Sequence, residues 1–149
     1  APCAKFIKLA KEDLPNAKFL NVSFVGSVAL KNALGKDADG VIITQVVPHF
    51  DSELPAVKNY RAALKNYNSK ADFGFASLEG YLAAKIFVAG LQKVKGEISP
   101  ESIINGLESI NKSDIGIGTL ISYGQDDHQA SHKIWPTVIK NNLKKSLHF

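Results

Sequence analysis

The sequence predicts an α/β fold built on a layered parallel sheet. The first half of the chain alternates helix, strand, helix and strand with short connections, as layered α/β sheets do. The run Val41–Val47 is almost continuously apolar and β-branched, which is typical of a strand buried on both faces. Three consecutive helices are predicted after that run, and their apolar faces need a large sheet to cover them.

The first predicted helix begins at Pro2, because proline is favoured in the first turn. Pro15 ends it. Its apolar side chains follow helical spacing and include the single cysteine, which predicts a buried, unreactive thiol: Cys3, Phe6, Ile7, Ala10 and Leu14.

Residues 17–25 are predicted to form a strand that runs into a loop and stops at Gly26. Ser27 is predicted to cap a short helix that ends at Gly35. We expect the strand Val41–Val47 to be central in the sheet and parallel to the strand at Phe19–Val22.

Each of the three consecutive helices has a predicted start: Ser52, Ser77, and Ser99 followed by Pro100. The second of them is apolar almost all the way round, so we expect Phe87 and Leu91 to be deeply buried. Thr119–Tyr123 and Ile134–Ile139 are then predicted strands, the latter at a sheet edge because of Pro136. About four strands must therefore cover five helices, which predicts that partner strands lie in further sequence or in another chain.

The composition is that of an ordinary globular domain, with 149 residues, 45% hydrophobic and 21% charged. The net charge of +4 comes from charges of both signs spread along the chain, apart from a cluster at Lys140, Lys144 and Lys145, and this disfavours nucleic-acid binding. No apolar run reaches the roughly 18 residues of a membrane span. The absence of methionine indicates a segment of a longer protein.

Motifs for catalysis and cofactor binding are largely missing, which predicts a protein that is not an enzyme and that uses no cofactor. Gly116-Ile117-Gly118 lacks the third glycine of a dinucleotide loop and precedes a strand. His128 and His132 have a spacing that could hold a metal on a helix, but a solvated polar turn is favoured there and no metal is predicted. For His49 and Asp51, a role in capping their loop is favoured over catalysis.

Four linked motifs carry a resemblance to a known family: Asn21–Leu30, Gly40–Pro48, Ser77–Ala84 and Asp126–Gln129. In this order and spacing, the chain resembles the C-terminal part of a type I periplasmic solute-binding protein. The family is that of the leucine/isoleucine/valine-binding proteins, or extracellular ligand-binding receptors. The resemblance covers nearly the whole chain.

The resemblance implies two α/β lobes with the ligand held between them, and a fragment that contains parts of both. Residues 1–45 would belong to the C-terminal lobe, residues 46–125 to the N-terminal lobe, and residues 126–149 to the C-terminal lobe again. It implies a periplasmic, substrate-binding component of an ABC-type importer that binds an amino-acid-like solute. Its partners would be that small molecule and an ABC permease.

Other functions stay open at this stage. A ligand-sensing domain of a membrane receptor would share the fold and the site, with a receptor signalling module as its partner. A stand-alone α/β enzyme is disfavoured, because the sequence carries no convergent set of catalytic residues. A third alternative is a chain that only folds, as a homodimer in which each copy lends the other its missing sheet.

The resemblance also implies ligand-binding residues. The loop after the first strand points to Ser23 and Phe24, and the segment leading into the apolar helix points to Phe75, Ser77 and Glu79. Leucine-binding members carry a carboxylate at about the place of Ser23, so this departure disfavours a plain aliphatic α-amino acid. Phe75 could instead be a core aromatic residue, and Glu79 could be a first-turn acid favoured by the helix dipole.

Overall fold

The structure, a computed structural model, describes residues 2–140. The chain divides into two compact units. The first, here called the sheet unit, runs to Val46 and resumes at Ile134, and the second, the helical unit, spans Val47–Lys133. Their assignment to particular lobes stays a prediction, and Lys144 and Lys145 lie outside the described residues.

The helices and strands have shorter bounds than the sequence patterns suggest. In chain order they are α1 (Pro2–Asp13), β1 (Leu20–Val22), α2 (Ser27–Leu34), β2 (Ile42–Gln45), α3 (Pro55–Tyr67), α4 (Phe75–Leu91), α5 (Pro100–Glu108), β3 (Ser113–Asp114), β4 (Leu120–Ile121) and β5 (Trp135–Val138).

The sheet unit contains three strands in the order β1-β2-β5. β1 and β2 are parallel, with Leu20 opposite Ile42, which confirms the predicted central position and direction of β2. β5 pairs antiparallel with the other side of β2, so this sheet is mixed rather than purely parallel. Pro136 lies in β5, at an edge of the described sheet as predicted.

Helices cover one face of this sheet. Ile43 points to that face and is buried with Ile7 of α1 and with Leu30 and Leu34 of α2. Cys3 packs against the same core but is only partly buried, because it lies at the rim of the cluster.

The opposite face, here called the open sheet face, is largely apolar, and no helix of residues 2–140 covers it as α1 and α2 cover the first. Because the side chains of successive strand residues point to opposite faces, Leu20 and Val22 lie on the same face of β1. Both are apolar, yet they are 65% and 47% exposed. The register places six residues on this face: Leu20, Val22, Ile42, Thr44, Pro136 and Val138. Ile42, Thr44 and Val138 are half-buried, and Pro136 is exposed.

Three serines predicted to cap helices do not occupy the capping position. Gly26, Leu54 and Gly74 precede α2, α3 and α4, and none of the three helices has a side-chain cap. Gly26 has φ of +80°, a conformation that favours glycine, and Pro55 starts α3 by fixing its own φ. The prediction for Ser99 is confirmed, because Ser99 and Ser102 form a reciprocal capping box.

The predicted deep burial of Phe87 and Leu91 is wrong. Phe87 and Val88 are 45% and 50% exposed, and Leu91 is only half-buried. The inner face of α4 is instead formed by Leu78, Leu82 and Gly90. A helix that is apolar all round gives no periodic signal to identify the side that packs. Here the side with Phe87 and Val88 is left partly exposed by the part of the chain that the structure describes.

Two glycines set the contact between α4 and α5. A Cβ atom on Gly106 would lie 2.5 Å from the carbonyl oxygen of Gly90, and one on Gly90 would lie 2.5 Å from Cδ2 of Leu107. The two helix backbones therefore approach as closely as they do only because both positions lack side chains. β3 and β4 form a separate antiparallel pair in this unit.

Within residues 2–140, none of the helices combines the length and apolar character that crossing a bilayer requires.

Neighbouring isoleucines in β2 allow a matched test of the two sheet faces. Ile43→Ala should lower the free energy of unfolding by about 2–5 kcal/mol, because it leaves a cavity in the core. Ile42→Ala, on the open sheet face, should lower it by clearly less. Urea denaturation of both variants measures the difference, and equal losses would contradict the one-sided core.

The glycine contact gives a second test. Gly106→Ala should destabilise the protein by about 1–3 kcal/mol, because the new methyl group meets backbone rather than a movable side chain. Gly80→Ala on α4 is the control, since a Cβ there meets nothing within 4 Å. It should stabilise the helix by about 0.5–1 kcal/mol. Thermal melts that move in the same direction would rule out the close contact.

Candidate functional site

In the sheet unit, the carboxyl ends of the parallel strands β1 and β2 form the edge at which open α/β sheets bind ligands. A 3₁₀ turn, Ser23–Val25, follows β1 directly. Its Phe24 side chain is 89% exposed, which is unusual for a phenylalanine, and Ser23 is half-buried. The two sequence-predicted residues of this unit therefore lie side by side at the expected edge.

Gln45 lies at the same edge, as the last residue of β2, and is fully buried. Its Nε2 donates to Ser27 Oγ at 2.8 Å and to Thr137 Oγ1 at 3.3 Å, and Thr137 donates in turn to the carbonyl of Ile43. Its Oε1 is buried without a hydrogen-bond partner among the described residues. This network fixes α2 to the sheet next to the Ser23 turn.

In the helical unit, three aromatic rings form a group at the start of α4. The ring of His49 stacks on Phe50 with 4.3 Å between centroids, and Phe75 meets both edge-on, at 5.2 Å and 5.0 Å. Each of the three residues is only partly buried. This aromatic group offers an apolar surface with one polar ring in it.

The loop that carries His49 and Phe50 is held in place by Arg61 of α3. Its Nη1 donates to the carbonyls of Phe50 and Ser52 at 3.0 Å and 2.8 Å, and its Nη2 lies 3.2 Å from a Glu53 oxygen. Lys58, and to a smaller degree Arg61, lowers the pKa of Glu53.

His49 has the loop role predicted for it. Its Nδ1 accepts the Asp51 backbone N–H at 3.1 Å, so the ring closes the turn in addition to stacking on Phe50.

The first turn of α4 is tied to α3 through the buried hydroxyl of Tyr60. This oxygen accepts the N–H of Gly74 at 3.0 Å and lies 2.6 Å from Ser77 Oγ. Ser77 also donates to the carbonyl of Gly74 at 3.2 Å. Ser77 thus fixes the helix start from its third position, and its hydroxyl is already engaged.

The remaining predicted residue, Glu79, is exposed on the second turn of α4. Because α4 begins at Phe75, the first turn of this helix contains no acidic residue, and the dipole explanation for Glu79 is wrong. Phe75, Ser77 and Glu79 lie within the first two turns of α4, and Phe75 is part of the aromatic group rather than of a closed core.

Sequence reasoning missed Phe50 and Gln45. An aromatic pair directly after Pro48, at the end of a predicted strand, was the available signal for Phe50. Gln45 lies within an apolar strand, and a single polar residue in such a strand gives no indication in the sequence of a buried hydrogen-bond network.

The two histidines considered for a metal bind different carboxylates. His128 Nε2 lies 2.8 Å from Glu108, and His132 Nε2 lies 3.0 Å from Asp127. His132 lowers the pKa of Asp127, and both imidazoles are exposed. Among residues 2–140, no group of three metal-ligating side chains comes together.

Comparison with known proteins shows what the chain is similar to. The profile of the periplasmic binding protein family matches residues 1–144. No curated protein sequence matches the chain.

Solved structures match over nearly all of this chain but over a minor part of their own length. A possible leucine/isoleucine/valine-binding protein from Rhodopirellula baltica SH 1 is 46% identical with a TM-score of 0.89, and the match covers 98% of this chain and 40% of that chain. A fatty acid ABC transporter substrate-binding protein from Thermomonospora curvata is 21% identical with a TM-score of 0.79, covering 99% and 39%. A branched-chain amino acid ABC transporter protein from Thermus thermophilus with bound valine is 17% identical with a TM-score of 0.73, covering 93% and 40%.

The Tyr60 hydroxyl provides a test of the site's support. Tyr60→Phe should lower the free energy of unfolding by about 1–3 kcal/mol, because it leaves the N–H of Gly74 and the hydroxyl of Ser77 without their shared partner. Tyr67→Phe on the same helix is the control, since Tyr67 is 90% exposed. Denaturation that shows equal stability for the two variants would mean that this hydroxyl does not hold α4.

Proposed function

Because this chain belongs to the periplasmic binding protein family, we propose that it is the solute-binding component of an ABC-type importer. It has the type I fold of that family, whose members are binding proteins that act outside the cytoplasm. In this proposal the chain binds a small amino-acid-like solute reversibly in the periplasm, delivers it to a permease, and catalyses no reaction.

The aromatic group of His49, Phe50 and Phe75 carries the proposal. The proposal is supported by the mutual contact of three partly exposed rings, because small-molecule sites are lined mainly by apolar and aromatic side chains. Arg61 fixes the loop beneath two of the rings, so the surface exists before any ligand arrives.

The polar candidates supply the specificity that such sites need. Glu79 is an exposed carboxylate, which suits the ammonium group of an amino-acid-like solute. Ser23 can donate or accept one hydrogen bond, and Phe24 offers a free ring next to it. Ser77 acts indirectly, because its contact with the Tyr60 hydroxyl of α3 fixes the start of α4, the helix that carries Phe75.

Two further observations bear on the ligand class. The neighbours named above include the substrate-binding protein of a fatty acid ABC transporter and a protein with bound valine, so we infer that this fold serves chemically different solutes. The family resemblance implies a carboxylate in leucine-binding members at about the place where this chain has Ser23. This departure disfavours a plain aliphatic amino acid as the solute.

The chain alone should bind such a solute weakly. It spans 40% of the length of its Rhodopirellula baltica relative. Pockets for small molecules normally enclose most of the ligand's surface, and a partial chain supplies only part of such an enclosure. We expect a Kd weaker than about 1 μM, and hence a binding free energy smaller than about 8 kcal/mol. Isothermal titration against a panel of amino acids and small carboxylates measures it.

Two phenylalanines of α4 supply the matched variants for that titration. Phe75→Ala should weaken binding at least tenfold, whereas Phe87→Ala should leave it unchanged, because Phe87 lies outside the aromatic group. Sub-micromolar binding would show that the pocket is complete without further sequence. Equal effects of both variants, or a solute recovered chemically altered, would overturn the proposed function.

A further inference from the structure

One polar side chain is buried where the strand pattern calls for an apolar one. Gln45 is completely buried at the end of β2, on the same covered face as Ile43. Its Nε2 makes two hydrogen bonds, but its Oε1 is buried without a hydrogen-bond partner among the described residues. An unpaired buried acceptor costs free energy of folding, so an apolar side chain of similar size would cost this strand little stability. The stability of the sheet therefore does not account for a glutamine at this position.

The chain leaves and re-enters the sheet unit beside this residue. It leaves after Val46, which follows Gln45, and it returns at Ile134, directly before β5. Because β5 runs antiparallel to β2, Trp135 at the start of β5 is paired with Gln45 at the end of β2. Both passages between the two units therefore begin next to one pair of residues in the sheet.

The turn Ser23–Val25 lies at the same edge of the sheet. It follows β1, which is parallel to β2, and α2 begins shortly after it at Ser27. The hydroxyl of Ser27, in the first residue of α2, accepts from Gln45 Nε2 at 2.8 Å. The same nitrogen donates to Thr137 of β5 at 3.3 Å. A single buried amide thus joins the turn to the strand that carries the returning chain.

We propose that Gln45 is a positioning residue that couples the Ser23–Val25 turn to both passages between the units. Its amide is planar and bonds α2 and β5 together, so a displacement of the turn reaches the residues at which the chain leaves and re-enters the sheet unit. In some proteins a buried polar group fixes one arrangement of its neighbours at a cost in stability, and Gln45 has both properties. The inference rests on the proposed function, in which Ser23 and Phe24 meet the solute, but its test requires no solute.

Two measurements follow the two sides of this connection in the 149-residue chain. Hydrogen exchange at the amides of Gly26 and Leu30 follows the turn and the start of α2, because these amides donate to the carbonyls of Ser23 and Gly26. Acrylamide quenching of the fluorescence of Trp135, the one tryptophan of the chain, follows the start of β5.

Gln45→Met removes both hydrogen bonds and keeps the length of the side chain. Exchange at Gly26 and Leu30 should speed up by about tenfold or more, and the quenching of Trp135 should rise. The urea midpoint should stay near that of the unaltered chain, because the substitution also removes the unpaired acceptor. Gln92→Met, at an exposed position of the helical unit, is the control and should change none of the three quantities.

Variants that remove one hydrogen bond at a time separate the two sides. Ser27→Ala should speed exchange at the two amides without changing the quenching of Trp135. Thr137→Val should raise the quenching without changing the exchange. If Gln45→Met fails to fold, these two variants decide.

A variant of the turn itself tests the coupling. Phe24→Gly loosens the turn, because glycine has more backbone freedom. It should raise the quenching of Trp135 in the unaltered chain and have no further effect in Gln45→Met, since coupled residues are not additive.

Three results would overturn the proposal. In the first, Gln45→Met folds but lowers the urea midpoint and speeds exchange equally at Ile7 and Leu30, so that Gln45 only fills space in the core. In the second, Ser27→Ala leaves exchange at the two amides unaltered. In the third, Phe24→Gly raises the quenching of Trp135 equally in the unaltered chain and in Gln45→Met.

Discussion

The sheet unit depends on its central strand, β2, which is hydrogen-bonded to β1 on one side and to β5 on the other. The other elements of the unit pack around this strand. On one face, Ile43 is buried under α1 and α2, and Gln45 ties α2 to β5 through Ser27 and Thr137. The turn that carries Ser23 and Phe24 lies between β1 and α2. Its position is therefore set by the same contacts that bury the central strand.

The helical unit is organised by close backbone contacts rather than by a sheet. Gly90 and Gly106 bring α4 and α5 together, and Tyr60 joins the start of α4 to α3. The Tyr60 hydroxyl is buried, and leaving it without a hydrogen bond would cost free energy of folding. Its contacts with the N–H of Gly74 and with Ser77 therefore fix the position of the start of α4. Phe75 is the first residue of that helix, and its ring is placed by this arrangement.

The elements of the fold could be predicted where the sequence carries a period or a strong break. Val41–Val47 contained the central strand, and Ser99 with Pro100 marked the start of α5. Ser52 failed as a helix start because Pro55, with its fixed φ, begins α3 three residues later, and Ser77 failed because α4 begins two residues earlier, at Phe75. The outer face of α4 could not be predicted from its sequence, because the exposure of Phe87 depends on which other elements pack against this helix, and none within residues 2–140 covers that side chain fully. The same holds for Phe50, whose partner Phe75 lies 25 positions further along the chain.

Arg61 has a consequence for the thermodynamics of recognition. A loop that is disordered before binding loses conformational entropy when it closes on a solute, and that loss subtracts from affinity. Here two carbonyls of the loop and the neighbouring Glu53 are already held by one guanidinium. The rings of His49 and Phe50 are thus presented in a rigid arrangement, and an incoming molecule meets a surface whose ordering was completed when the chain folded.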